Sequence, residues 1–61
     1  MLPIASKYRY LYGDEAVERL VADLMAGDPD TFKAGYSRDN AIIAAAEAFG
    51  VSRTEVEEQL S

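Results

Sequence analysis

The groups in this sequence that could do chemistry are almost all carboxylates. Eleven Asp and Glu stand against six Lys and Arg, a net charge of −5, and the 61 residues include no Cys, His or Trp. Those absences exclude a thiol nucleophile, a histidine general base, a disulfide framework and Cys/His zinc sites. Two carboxylates such as Asp14 and Glu18 act as acid and base only where a pocket separates their pKa values, and so small a domain encloses little substrate. Asp28-Pro29-Asp30 opens like an EF-hand loop, but Phe32 then falls on a ligand position and Lys33 where that loop needs glycine. The chain reads as a non-enzyme with no metal and no cofactor, whose carboxylates present charge.

That charge is unevenly placed. Residues 1–13 carry Lys7 and Arg9 without an acid, a charge of +2, and residues 14–30 carry −5. Residues 31–46 carry +1 and residues 47–61 carry −3. A solvated face that keeps a small domain soluble is one explanation. The other is a negative surface for a basic partner, built from Asp14, Glu15, Glu18, Asp23, Glu47, Glu55, Glu57 and Glu58.

Short elements must position these groups. The hydrophobic fraction of 49% includes ten alanines, and only sixteen residues are Leu, Val, Ile, Met or Phe. A chain of this length buries roughly 60% of its unfolded surface, so it must pack well-formed helices closely or gain stability from a partner. The pattern predicts an all-α fold, a single domain over 1–61, in a compact bundle of four or five short helices. Ile4, Tyr8, Leu11 and Tyr12 fit a helical stripe, although Tyr8 to Tyr12 also alternates like a strand. With no second strand to pair with, the helix is favoured. Val17, Leu20, Val21, Leu24 and Met25 mark an amphipathic helix capped by Asp14 or Gly13 and stopped by a left-handed Gly27, with Glu15 and Arg19 as an i, i+4 pair. Asp28-Pro29-Asp30 reads as a further helix start, anchored by Phe32 and ended by Gly35. A fourth helix starts near Ser37 or Asp39, buries Ile42, Ala45, Ala46 and Phe49, and stops at Gly50. Its apolar girth, widened by Ile43, suits a central position. The last helix opens with a capping box, Ser52-Arg53-Thr54-Glu55, flanked by a Val51–Val56 staple.

Residues 41–61 resemble a helix–turn–helix unit of bacterial DNA-binding regulators. Ala46 matches the small residue at the helix crossing, Gly50 the turn, Val51 the apolar residue after it, and Val56 and Leu60 the buried positions of the second helix. By that resemblance Ser52, Arg53, Thr54, Glu57, Glu58 and Ser61 face outward, where a DNA reader meets the major groove. Of these Ser52, Arg53 and Thr54 suit nucleic acid, but carboxylates meet a phosphate polyanion with repulsion, and direct DNA binding is not expected. Size and charge are similar to those of small acidic inhibitors from phages and mobile elements, including DNA mimics and anti-CRISPR proteins.

The leading expectation is therefore an acidic protein-binding inhibitor that blocks the nucleic-acid-binding surface of a larger protein or complex. A helix–turn–helix transcriptional regulator is the first alternative and a plain helical interaction or dimerisation module the second. The chain is expected to be cytoplasmic, off the membrane, and a monomer or homodimer. Lys7-Tyr8-Arg9-Tyr10-Leu11-Tyr12 interleaves cations with aromatics as a single-strand stacking surface would, yet packing is the commoner use of such tyrosines.

Overall fold

The computed structural model describes residues 4–28, 30–31 and 33–61. Helix α1 spans Ile4–Tyr12, a 3₁₀ turn Gly13–Glu15, α2 Ala16–Ala26, α3 Arg38–Phe49 and α4 Arg53–Leu60. The fold is all-α. Among the described residues its helices run as three continuous stretches rather than four or five separate elements, because α1 passes through the 3₁₀ turn into α2 without a coil residue. No helix among the described residues is long and apolar enough to cross a membrane.

Residues 4–12 are helix, not strand. The hydroxyl of Tyr8 donates to Asp23, and the Arg19 guanidinium lies 5.0 Å from the Tyr12 ring centre. Both pairs fit one antiparallel register, so α1 and α2 form a helical hairpin. That register turns Tyr8 and Ala5 toward α2 and leaves Ile4 and Leu11, expected on the inner stripe, outside. Neither Asp14 nor Gly13 caps α2. Glu15 occupies the cap position without a side-chain bond, because the 3₁₀ turn feeds straight into the helix.

The helix expected after Asp28 is not formed. The backbone amide of Asp28 donates to the Lys33 carbonyl and that of Lys33 to the Asp28 carbonyl, both at 3.1 Å, an isolated antiparallel bridge. The Asp28 carboxylate accepts from the Asp30 amide at 3.0 Å, so it closes a turn where a helix cap was expected. Pro29 and Phe32, assigned to the first turn and to the core, lie outside the described residues. Gly27, at φ 78 and ψ −170, ends α2 with a positive φ that favours glycine but with a ψ outside the left-handed helical conformation. Gly35 ends no helix: it lets the loop cross α2 where a methyl group would overlap the Met25 carbonyl. Beyond it the Tyr36 amide caps the Leu24 carbonyl at 2.8 Å. Met25, expected on the buried stripe, is exposed beside this crossing.

The second half follows its sequence signals closely. The Ser37 hydroxyl accepts from the Asn40 amide at 3.2 Å and starts α3. Gly50, at φ 68 and ψ 35, ends it in the left-handed conformation, and the Val51 amide returns to the Ala46 carbonyl at 3.0 Å. The Ser52 hydroxyl accepts from the Glu55 amide at 3.2 Å, one arm of the capping box; the described hydrogen bonds do not include the return arm. Helix α3 packs against α1, α2 and α4, and so is central. Among the described residues the core consists of Ala16, Val17, Leu20 and Val21 from α2, Ala41, Ile42, Ala45, Ala46 and Phe49 from α3, and Val56 from α4. Alanines at three of those α3 positions let the helices approach closely, and Ile42 and Val56 are completely buried.

Candidate functional site

Seven of the eight carboxylates expected to face a partner stand in two groups. Asp14 and Glu15 lie on the 3₁₀ turn and Glu18 in the first turn of α2, all exposed at the tip of the hairpin. Glu47 on α3 and Glu55, Glu57 and Glu58 on α4 are exposed at the opposite end of the sequence, on the two helices joined by Gly50. No three acids among the described residues converge closely enough to hold a metal ion.

Helix α4 takes its orientation from Val56 and Leu60. Val56 is completely buried and Leu60 packs against the core, so Thr54, Glu55, Glu57, Glu58 and Gln59 face water. The groups expected to suit nucleic acid are largely occupied within the helix. The Ser52 hydroxyl is the cap acceptor, and Arg53 pairs with Glu57 at 3.8 Å, leaving Thr54 uncommitted. Both side chains of that ion pair are about half exposed, at 52% and 47%, so its worth is a few tenths of a kcal/mol and it yields to a stronger partner.

Asp23 belongs to neither group. Its carboxylate accepts from Tyr8 and meets Arg19 at 3.5 Å, so it fastens the hairpin instead of presenting free charge. The expected Glu15–Arg19 pair is replaced by Arg19–Asp23, with Arg19 held in place over the Tyr12 ring. The Tyr8 and Tyr12 rings are 5.5 Å apart and tilted. Burial, then the hydrogen bond to Asp23 and its negative charge, push the Tyr8 phenol up to about 12. Arg9 lies 5.2 Å from the Phe49 ring centre on α3. The basic–aromatic segment is thus largely spent on packing: Tyr8, Arg9 and Tyr12 have partners inside the molecule, and Tyr10 is 87% exposed.

The Tyr8–Asp23 and Arg9–Phe49 contacts escaped the sequence reading. The signal for the first was the short break at Gly13: a tight hairpin there sets residue 8 opposite 23 and residue 12 opposite 19. A shallow groove of about 210 Å³ lies where the loop crosses α2, lined in part by Leu24, Gly27, Lys33 and Tyr36. Comparisons with protein-family models, curated proteins and solved structures give no match to this chain.

Proposed function

We propose that the protein is an acidic protein-binding module that acts as an inhibitor by occupying the nucleic-acid-binding surface of a larger protein or complex. The observation that carries this reading is the outward face of α4, where Glu55, Glu57 and Glu58 face water and Arg53, the one cation of the helix, is paired with Glu57. Carboxylates on a rigid helix can meet lysines and arginines that otherwise grip phosphates. Glu47, exposed on α3, is assigned to the same partner. Asp14, Glu15 and Glu18 supply a second patch, while Asp23 serves the hairpin. Inhibitors of this kind in phages and mobile elements share the size and charge of this chain, and a cytoplasmic setting suits such a partner.

The test is a pull-down of host proteins with the purified chain, repeated with Glu55→Lys/Glu58→Lys and with excess duplex DNA. Binding should weaken by at least tenfold on charge reversal, fall as salt rises, and be competed by the DNA, with helicity unchanged. A partner held equally well after charge reversal and in excess DNA refutes the reading.

A second reading, a helix–turn–helix DNA-binding regulator, draws on the corner formed by α3, the left-handed Gly50 and the Ser52-capped α4. It requires a dimer or an added basic surface to offset the charge of α4. Retardation of duplex DNA at physiological salt, lost in Arg53→Ala, would select it.

A further inference from the structure

Helix α1 is attached differently from every other helix. It has no buried residue, and Ala5 and Tyr8 are its hydrophobic side chains packed against the core. Its remaining ties run from Tyr8 to Asp23, from Tyr12 to Arg19 and from Arg9 to Phe49, all at or near the surface. Its charge is +2, and the seat helices α2 and α3 carry −1 each, so the arm and its seat attract each other.

The connection to α2 is equally distinctive. Tyr12, at φ −123 and ψ −7, and Glu15, at φ −91 and ψ 7, lie outside the helical basin on its bridge side, and both enter it by smaller rotations than Gly13 requires. Gly13, at φ 60, carries the reversal of the chain. If Gly13 moves to the helical region, α1, the turn and α2 can fuse into one helix over residues 4–26, about 35 Å long. A straight helix cannot fold back on itself, so the seat on α2 and α3 would then be empty.

We propose that α1 is an exchangeable arm, and that the occupant of the vacated seat is α1 of a second copy of this chain. In the exchanged dimer every tie named above is remade between copies, so the cost is mainly the entropy of association. The opposite charges of arm and seat favour the encounter. This exchange is independent of the acidic-surface reading and can fail or hold without it.

The experiment is Gly13→Ala, followed by sedimentation equilibrium from micromolar to millimolar concentration. Alanine disfavours positive φ and favours continuous helix, about tenfold per hinge, so the dimerisation constant should rise about a hundredfold for the two hinges. Gly50→Ala is the matched control. Gly50 has φ 68, and as at Gly13 an added methyl meets nothing within 4 Å. That variant should lose stability yet stay as monomeric as the parent. In a dimer mixed from ¹³C-labelled and unlabelled Gly13→Ala chains, isotope-filtered NOEs should join Tyr12 to Arg19 and Arg9 to Phe49 of the other chain. Two glycines inserted after Gly13 should reduce the dimer that the parent forms on refolding at millimolar concentration. A folded Gly13→Ala that stays monomeric, a dimer whose contacts remain within each chain, or equal dimerisation by Gly50→Ala would overturn the proposal. If Gly13→Ala does not fold, the glycine insertion decides: a refolded parent without dimer, or a dimer untouched by the insertion, overturns it.

Discussion

Helices α1 and α3 show two ways of belonging to a small fold. Helix α3 buries five of its twelve residues and packs against all the other α-helices, whereas α1 buries none of its nine. The first is held by close contact between apolar surfaces, which favours a single geometry. The second is held by a phenol on a carboxylate and by guanidinium groups over aromatic rings, contacts that can break and be remade elsewhere. A 61-residue chain cannot bury every helix, and here the core is spent on α2, α3 and one residue of α4, with α1 laid against its edge.

Substitutions can test that contrast. The largest effect is expected at Ile42, completely buried on α3: Ile42→Ala should cost about 3 kcal/mol in urea unfolding, and Leu11→Ala, on the exposed face of α1, under about 0.5 kcal/mol. Equal losses would erase the distinction between the helices. Next, Ser52→Ala should cost about 1 kcal/mol through loss of the α4 cap, whereas Asp14→Ala, at the uncapped start of α2, should be near neutral.

Tyr8→Phe should also cost about 1 kcal/mol, but in a pH-dependent way. The phenol is raised from 10.0 to about 12 in the fold, so its stabilisation is complete below pH 10 and is lost as pH rises from 10 through 12. Absorbance titration should show one tyrosine ionising well above its ordinary value, and Tyr8→Phe should remove it. The smallest effect on stability is expected for Glu55→Lys/Glu58→Lys, within about 0.5 kcal/mol by thermal unfolding, because both side chains face water.

The sequence made these two halves legible to different degrees. Ser37, Gly50, Val51, Ser52 and Val56 announced α3 and α4 because caps and stops are local: the backbone group each satisfies lies within a few residues. The alanine-rich girth of α3 likewise pointed to its central place. The stretch 28–35 misled because a cap-like Asp28 serves a turn as readily as a helix, and the bridge to Lys33 that decides between them is not a periodic signal. The carboxylates of α4 could be placed from the positions of Val56 and Leu60. The capture of Asp23 could not, because it depends on the hairpin register set by Gly13.

The tie between Tyr8 and Asp23 also gives the protein an optical signature. With four tyrosines and no tryptophan, its near-ultraviolet emission comes from phenols alone. A phenol bonded to a carboxylate can surrender its proton in the excited state, and its emission is then weak and red-shifted. Tyr8 should therefore be dark while α1 is seated and brighten when the arm lifts, so the motion can be timed by stopped-flow fluorescence without an attached dye.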